Sequence, residues 1–263
     1  MGSAIVATLM DLRAQTILIT GANRGIGRAL AYEVAKRPGT RVLAGARSPE
    51  KFEDPGELVP VRMEMSSKES LEESWAALDE EVDVLFNNAG LMTGGLLEEQ
   101  DIDDVYAMFQ VNLSAVVHLT QLALPAMVQR GRGWIVNNAS ISGYAYFPAA
   151  TTYAAAKAGV VAFSESLRRE LKGTGVGVTH MVTPGVKTDM LDDTKEAYGR
   201  HLDTSGWTDV SAEEWAAKVV AGVESGDHIV GPGGRIALAK LASRGPAFLL
   251  DAITGGGFSR APR

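Results

Sequence analysis

Short apolar runs alternate with longer amphipathic stretches along most of the chain. The runs predict seven β-strands, at residues 16–20, 41–46, 59–65, 82–86, 134–138, 176–182 and 228–230. Between them, apolar residues recur at helical spacing, which predicts helices over residues 26–34, 67–78, 101–130, 152–171 and 211–224. Parallel strands joined by helices require right-handed crossovers. The pattern therefore predicts an α/β fold, a doubly wound parallel sheet of about seven strands with helices on both faces.

The two ends of the chain depart from this alternation. Residues 1–11 are expected to form a loose tail, residues 12–234 a single domain, and residues 235–263 an extension. The apolar residues of the extension would pack over the domain, extend a dimer interface or touch a membrane, and packing is the favoured interpretation. No segment approaches 18 uninterrupted apolar residues, and the apolar run before Asp11 lacks the basic start of a signal peptide. Neither a membrane-spanning helix nor a membrane partner is expected.

Composition narrows the function classes. The chain has 263 residues, a net charge of -7 and a sequence pI near 5.2. This acidity argues against nucleic-acid binding, because phosphate backbones require a basic surface. The chain contains no cysteine, so no disulfide is possible and a cytoplasmic protein is expected. Its four histidines show no metal-ligand spacing, so no metal is assigned.

A glycine-rich turn follows the first predicted strand. The segment is Thr20-Gly21-Ala22-Asn23-Arg24-Gly25-Ile26-Gly27, and a helix is predicted to begin inside it. Glycines let a backbone approach a pyrophosphate closely and adopt positive φ, and the free amides at the start of a helix face the anion. The alternative is a tight turn that only needs glycine. Three glycines between a first strand and a first helix favour a dinucleotide site.

The end of the second strand indicates which dinucleotide is bound. NAD-binding proteins commonly place a carboxylate there, which bonds the ribose 2′-hydroxyl. This chain has no acid at that point; Arg47 follows the strand and Arg24 lies in the glycine turn. Taken singly, each arginine is better explained as a solvated surface side chain. Together, without a competing acid, the two guanidinium groups predict a 2′-phosphate, and hence NADP(H) in preference to NAD(H).

Tyr153, Lys157 and Ser140 form a candidate acid–base group. Tyr153 and Lys157 are four residues apart on a predicted helix and share one face, and Ser140 lies at the end of the fifth strand. The ammonium is expected to lower the pKa of the phenol, so that the pair exchanges a proton while a hydride moves at the nicotinamide. Tyr32 and Lys36 have the same spacing but lack a serine or asparagine partner. That second pair is interpreted as surface side chains.

These motifs occur in an order that resembles the short-chain dehydrogenase/reductase family, in its single-domain branch. The resemblance covers about residues 12–230 and rests on five features: the turn from Thr20 to Gly27, Asn87-Asn88-Ala89-Gly90 after the fourth strand, Asn112 in the long helix, the spacing of Ser140 to Tyr153, and Pro184-Gly185-Val186-Lys187-Thr188. It implies a Rossmann fold and an NADP(H)-dependent oxidoreductase that interconverts a carbonyl and a secondary alcohol.

The resemblance also implies roles for the matching residues. Tyr153 would be the general acid in reduction and the general base in oxidation, and Lys157 would bond the nicotinamide ribose. Ser140 would orient the substrate oxygen, and Asn112 would hold a water in a proton relay; a helix-bending Asn112 is the weaker alternative. The expected cofactor-binding residues are Gly21, Asn23, Arg24, Gly25, Ile26, Gly27, Arg47, Glu64, Met65, Asn88, Ala89, Gly90, Tyr153, Lys157, Pro184, Gly185, Val186 and Thr188.

The chain departs from the family pattern at three points. Ala139 stands where many relatives have a second serine, which leaves Ser140 as the candidate. Glu64 stands where relatives usually place an aspartate near the adenine. Residues 228–234 differ from the last strand of relatives that tetramerise. A homodimer or homotetramer is expected, and the helices at residues 101–130 and 152–171 would form the interface of a dimer.

Loops over the strand ends are expected to contact the substrate. They are residues 91–97, residues 141–147 and a lid at residues 190–207, and their apolar side chains favour a small apolar carbonyl or alcohol. The expected substrate-binding residues are Ser140, Ser142, Tyr146, Tyr153 and Met190.

Two other functions fit the same motifs. A catalytically idle protein that senses NADP is one, because a fold does not dictate a function. The complete set of Asn112, Ser140, Tyr153 and Lys157 favours the enzyme instead. A 3-oxoacyl-carrier-protein-type reductase is the rival within the enzyme class. Such a reductase would need a basic surface for its acidic carrier, and this chain is acidic overall.

Overall fold

A parallel sheet with helices on both faces forms the centre of the structure, a computed structural model that describes residues 9–52, 55–205, 209–233 and 259. The strands within these residues are β1 (Thr16–Thr20), β2 (Arg41–Ala46), β3 (Val59–Arg62), β4 (Val84–Asn87), β5 (Gly133–Asn138), β6 (Val176–Met181), β7 (Gly185–Val186), β8 (Asp209–Val210) and β9 (Ile229–Val230). Seven of them form the main sheet in the order β3-β2-β1-β4-β5-β6-β9, with every pair parallel. The predicted doubly wound sheet is confirmed.

The helices within the same residues are α1 (Gly25–Ala35), α2 (Lys68–Ala76), α3 (Ile102–Phe109), α4 (Ala115–Gln129), α5 (Ser142–Ala145), α6 (Thr151–Glu170), α7 (Asp189–Gly199) and α8 (Ala212–Glu224). Single 3₁₀ turns occur at Pro49–Lys51 and Leu97–Glu99. A capping box begins α8, because the Ser211 hydroxyl accepts from the Glu214 amide and the Glu214 carboxylate accepts from the Ser211 amide.

Alternate side chains of the strands enter two separate cores. On β1, Ile17 and Ile19 pack with α1 and α8 on one face, while Leu18 packs with α2 and α4 on the other. Successive side chains of a strand point to opposite faces, so a strand buried on both sides is apolar throughout. This arrangement explains why the β-strands appear in the sequence as continuous apolar runs.

Chain order reverses direction between β1 and β4, which are neighbours at the centre of the sheet. The connections from β1 to β3 run toward one edge of the sheet, and those from β4 onward run toward the other. The two loops at the carboxyl ends of β1 and β4 therefore separate and leave a crevice, which is where ligands bind in folds of this type. The glycine turn and Asn88 follow these two strands directly.

The predicted helix at residues 101–130 contains an irregular turn. Residues Gln110–Ser114 form a π-helical turn between α3 and α4. The turn holds one extra residue, so the predicted apolar stripe changes direction there: Val105 and Val116 are buried, while Phe109 and Leu113 are only partly so. π-Turns of this kind occur mostly at functional sites.

The continuous helix Ile102–Gln129 is long and apolar enough to cross a membrane by length and composition, although no such helix was expected. Buried side chains account for part of that composition. One face of the helix packs against the sheet, in the core that also contains side chains of β4 and β5. The residues of that face are Leu119, Ala123 and Met127. A core helix passes the same test, so the finding does not point to a membrane-spanning segment.

Several elements were not predicted. The lid expected at residues 190–207 contains α7, and α5 and the short β7–β8 ribbon are also absent from the prediction. These elements are short, and Asp192, Asp193, Lys195 and Glu196 obscure the apolar spacing of α7. The strand predicted at residues 59–65 ends at Arg62. The remaining strands and helices begin and end within two residues of the prediction.

The expectations for the chain ends fall largely outside the described residues. They concern residues 1–8 and the extension at residues 235–263, of which only Ser259 is described. The amide of Met10 donates to the carbonyl of Glu224 at 3.2 Å. The amide of Ser259 donates to the carbonyl of His201 at 2.8 Å. Trp207, expected in the lid, is also outside the described residues.

Candidate active site

A row of polar side chains joins the carboxyl ends of four neighbouring strands. The Thr20 hydroxyl accepts from the amides of Asn88 and Ala89, at 3.0 and 2.9 Å. The Asn88 side chain donates to the Thr20 carbonyl at 3.0 Å, and its carbonyl oxygen accepts from Asn138 at 3.1 Å. Asn138 in turn accepts from the Thr183 hydroxyl at 2.6 Å. These bonds hold the ends of β1, β4 and β5 and the loop after β6 in one plane.

The glycine turn brings the predicted cofactor residues into contact. A Cβ on Gly21 would lie 2.9 Å from the Ala89 Cα, and one on Gly25 would lie 3.1 Å from a Thr188 methyl. Both glycines also have positive φ, 66° and 52°. The turn after β1 therefore adjoins both the loop after β4 and the segment after β6. Side chains larger than glycine would fill the crevice.

The start of α1 meets the requirements of a phosphate site. Arg24 stands at its N-cap position in extended conformation and makes no side-chain capping bond. The first amides of a helix lack intrahelical partners, and an anion there is stabilised by those amides and the helix dipole. A dinucleotide pyrophosphate has this chemistry, so the residues at the crevice fit an NAD(P) cofactor.

Lys157 is held at the base of the crevice by α6. Its side chain is 4% exposed, and its ammonium donates to the carbonyl of Asn138 at 2.7 Å. The same ammonium lies 5.6 Å from the centre of the Tyr153 ring, one helical turn away. A Cβ on Gly90 would lie 3.9 Å from the Lys157 Nζ. Lys157 thus joins the predicted catalytic pair to the loop after β4.

The pKa values of this pair differ from the expectation. Burial raises the pKa of Tyr153 to about 12, and a hydrogen bond with Ser140 opposes the rise. Burial also lowers the pKa of Lys157 to about 8. The prediction that the ammonium would lower the pKa of the phenol is therefore wrong for the protein alone, because loss of water disfavours both charged forms. Tyr153 retains its proton throughout the physiological pH range.

Asn112 uses its side chain to fix the loop that follows β4. Its carbonyl oxygen accepts from the Leu91 amide at 2.7 Å, and its amide donates to the Leu91 carbonyl at 2.8 Å. Asn112 is fully buried and lies in the π-helical turn. The same carbonyl oxygen would lie 3.3 Å from a Cβ on Gly90. Asn112 therefore packs beside Gly90, on the side where the Lys157 ammonium also lies, and its role in a proton relay stays a prediction.

The predicted adenine and ribose residues lie farther along the sheet. Arg47 follows β2 and is exposed, and an Arg24 guanidinium nitrogen lies 3.9 Å from the Asp189 carboxylate. The Glu64 carboxylate accepts from the amides of Met65 and Ser66, at 3.0 and 3.1 Å. Glu64 thus fixes its own loop, and Met65 is 5% exposed.

The predicted substrate residues are placed less uniformly. The Ser140 hydroxyl accepts from the Ser142 amide at 3.1 Å, and both serines are buried. Tyr146 is 46% exposed and adopts a left-handed φ of 49° at the end of α5. Met190 is partly buried in the first turn of α7. Within the described part of the chain, no hydrogen bond joins Tyr146 or Met190 to Tyr153.

Sequence reasoning missed Asn138 and Thr183 as site residues. Asn138 supplies the carbonyl that holds Lys157 and the side chain that connects Asn88 to Thr183. One sequence feature could have identified them. Each is a polar residue at the carboxyl end of an apolar strand, where the other motifs also lie. Tyr198 lies in the lid predicted at residues 190–207 but was not among the predicted substrate-binding residues. It is 1% exposed.

A nucleotide crevice beside a Ser-Tyr-Lys group defines a nicotinamide-dependent oxidoreductase. Comparison with known proteins agrees. A family model described as short chain dehydrogenase matches residues 15–199. The chain is similar to the 3-oxoacyl-(acyl-carrier-protein) reductase FabG of Haemophilus influenzae, with 32% identity over 249 residues, 90% of this chain and 91% of that protein. It is 33% identical to the ketoacyl reductase HetN of a Nostoc species over 200 residues, 71% of this chain and 69% of that protein.

A solved structure has the same fold. The short chain dehydrogenase from Burkholderia cenocepacia J2315 in complex with NADP has a TM-score of 0.79 and 25% identity, over 93% of this chain and 99% of that chain. The chain belongs to the short-chain dehydrogenase family, and it is an NAD(P)-dependent oxidoreductase.

Proposed function

We propose that the protein reduces small apolar ketones to secondary alcohols with NADPH, and catalyses the reverse oxidation. The observation that supports this most directly is the group formed by Ser140, Tyr153 and Lys157. Tyr153 is bonded to Ser140, and Lys157 is anchored on Asn138 beside the glycine crevice. Such a group holds a proton next to the position where a cofactor would present its nicotinamide.

The side chains have distinct tasks in the proposed reaction. The cofactor supplies a hydride to the carbonyl carbon when it is bound. Ser140 donates to the substrate oxygen and orients it, and Tyr153 gives that oxygen its proton as negative charge develops there. The Lys157 ammonium stabilises the resulting phenolate. Asn112 and Asn138 position these groups through the Leu91 backbone and the Lys157 ammonium.

The pKa of Lys157 predicts how the reduction depends on pH. With a pKa lowered to about 8, Lys157 is charged below that pH and loses its proton above it. The Tyr153 phenolate then lacks its stabilising charge, so kcat/KM for reduction should fall about tenfold for each pH unit above 8. The measurement is kcat/KM between pH 6 and pH 10. Lys157→Arg keeps its charge and should move the break upward, whereas a flat wild-type profile would contradict this role.

The cofactor preference is proposed from two arginines. Arg47 stands where NAD-binding proteins place a carboxylate, and Arg24 begins the helix that faces the phosphates. Both side chains are exposed and carry the bidentate donors that a 2′-phosphate requires. The similar structure from Burkholderia contains NADP, which supports the same preference. No acidic residue directly follows β2, and Glu64 lies after β3 instead.

Replacing Arg47 by aspartate tests this preference. We expect Arg47→Asp to raise the KM for NADPH at least about tenfold and to change the KM for NADH less than about threefold, because the aspartate repels only the 2′-phosphate. Steady-state kinetics with each cofactor measures both values. Arg132→Asp makes the same charge change just before β5, at the other end of the sheet, and serves as the control. Equal effects on both cofactors would exclude Arg47 from this role.

A second substrate class deserves the same assay. The relative from Haemophilus is a 3-oxoacyl-(acyl-carrier-protein) reductase and is similar over 90% of this chain. Its named substrate is also a ketone, so the same Ser140, Tyr153 and Lys157 chemistry would serve it. The acidic composition of this chain disfavours an acidic carrier protein. As the proposed substrate, a 3-oxoacyl thioester of a small carrier is therefore less favoured than a free ketone.

The proposed assembly is a homodimer, with a tetramer as the larger alternative. Large apolar side chains are exposed along Ile102–Gln129: Ile102 at 62%, Tyr106 at 72%, Val117 at 38% and Val128 at 40%. Exposed apolar side chains of this size commonly mark an interface. We also propose that residues 12–234 form one domain and that the extension at residues 235–263 packs on it. The protein is proposed to be cytoplasmic.

The experiment that tests the proposed function is a screen of ketones and secondary alcohols with both cofactors. Oxidation of NADPH is followed at about 340 nm, near the absorbance maximum that distinguishes it from NADP⁺. Consumption of NADPH with small aryl or alkyl ketones would support the proposal. Cofactor binding without turnover of any ketone or 3-oxoacyl thioester would support the sensing protein instead.

A further inference from the structure

Tyr198 is a buried phenol that the proposed reaction does not use. It lies in the last turn of α7 and is the largest of the fully buried side chains, with 1% of its surface exposed. Its hydroxyl donates to the carbonyl of Thr93 at 3.4 Å. The ring therefore points inward from the lid helix to the loop that follows β4.

The ring packs against residues that have little or no side chain. A Cβ on Gly94 would lie 2.2 Å from its Cε1 atom and 2.6 Å from its Cδ1 atom. Ala149 and Ala150 belong to the same buried cluster, with Leu202 and the partly buried Phe147. Glycine and alanine leave a space that the ring fills. Tyr198 is thus the largest fully buried side chain of this cluster.

That space adjoins the catalytic phenol. Ala150 is the N-cap residue of α6, three positions before Tyr153. Thr93, whose carbonyl binds Tyr198, is also bonded through its hydroxyl to Thr152 at 2.8 Å. Burial raises the pKa of Tyr198, and the electrostatic effect of Tyr153 raises it further. The two hydroxyl-bearing rings therefore lie within electrostatic reach of each other.

We propose that Tyr198 sets the upper size of one substituent on the substrate carbonyl, because its ring occupies the space beside Tyr153 that a larger group would need. The proposal rests on the proposed function and names the substrate class more closely. Ketones with one methyl or other small substituent are accepted, and those with two bulky substituents are excluded. A hydrophobic pocket discriminates by volume, so removing the ring should extend the range.

Three variants separate the ring from its hydroxyl. Tyr198→Ala removes the ring, Tyr198→Leu removes most of it but keeps apolar packing, and Tyr198→Phe removes only the hydroxyl. The substrates are methyl phenyl ketone, propyl phenyl ketone and diphenyl ketone. We expect Tyr198→Ala and Tyr198→Leu to raise kcat/KM for the bulky ketones relative to methyl phenyl ketone at least about tenfold. Tyr198→Phe should keep the wild-type ratio within about threefold.

Binding provides a readout that does not depend on turnover. Calorimetric titration of each ketone into the protein loaded with NADP⁺ should show the same change in the ratio of Kd values. Unchanged ratios in Tyr198→Leu, with NADP⁺ binding retained, would overturn the role of Tyr198. Absence of turnover in the wild type, with a changed Kd ratio in the variants, would instead refute the proposed function and leave the size limit standing. If Tyr198→Ala does not fold, Tyr198→Leu decides the question.

Discussion

Tyr153→Phe is expected to lower kcat for ketone reduction about 10³-fold or more while the protein still binds NADPH. The substitution removes the hydroxyl that is bonded to Ser140 and that carries the transferable proton. It leaves the ring beside Lys157, so the crevice keeps its shape. Steady-state kinetics measures kcat, and NADPH fluorescence measures the Kd for the cofactor, which should change less than about threefold.

The chain supplies its own control for this variant. Tyr32 and Lys36 repeat the spacing of Tyr153 and Lys157, but they lie on α1, and Lys36 pairs with Glu33 at 2.5 Å. Tyr32→Phe should leave both kcat and NADPH binding unchanged. Retention of most activity in Tyr153→Phe would show that another group transfers the proton. Normal NADPH binding with no wild-type turnover would favour the idle sensing protein.

The second large effect is expected at Gly27, in the first turn of α1. A Cβ there would lie 2.1 Å from the Gly21 carbonyl oxygen and 2.5 Å from the Asn88 side-chain nitrogen. The Asn88 side chain is held in place because it is bonded to both Thr20 and Asn138, and the Gly21 oxygen belongs to the backbone. Gly27→Ala should therefore displace the glycine turn and weaken NADPH binding at least about 100-fold. Overpacking of this kind costs about 1–3 kcal/mol, so Tm should fall by about 5 °C.

Gly199→Ala is the matched control for Gly27→Ala. Gly199 also lies in a helix, and among the described residues a Cβ there would meet only the Thr204 hydroxyl, at 4.0 Å. That variant should bind NADPH normally and keep its Tm, as measured by fluorescence titration and thermal unfolding. Unaltered NADPH affinity in Gly27→Ala would show that the crevice of the glycine turn is not the cofactor site.

The predicted site came from local motifs, and the structure brings several of them together. Gly21 meets Ala89, Gly25 meets Thr188, and Gly90 lies between Asn112 and Lys157. Gly25 and Thr188 are 163 positions apart, but strand order places all of these segments at the carboxyl ends of the strands. Each motif follows a buried strand, so predicting the parallel sheet also predicts that the motifs meet.

Burial of the catalytic side chains by distant parts of the chain was not predictable in the same way. The sequence places an ammonium one turn from a phenol, which indicates a lowered phenol pKa. Whether water reaches the two groups depends on side chains from several elements, and here burial raises the pKa of Tyr153 to about 12. The hydrogen bond between Lys157 and Asn138 likewise needs β5 and α6 in their final positions.

The strands and helices of the parallel sheet, the glycine turn and the spacing of Ser140, Tyr153 and Lys157 follow from the chain's own pattern, because apolar periodicity and turn chemistry act over a few residues. The order of the strands in the sheet comes from the tertiary structure. The π-helical turn at Asn112, the helix within the lid and the ring of Tyr198 against Gly94 depend on packing between distant segments. Local preferences are weak where tertiary contacts compete with them, and close packing selects one arrangement of such segments.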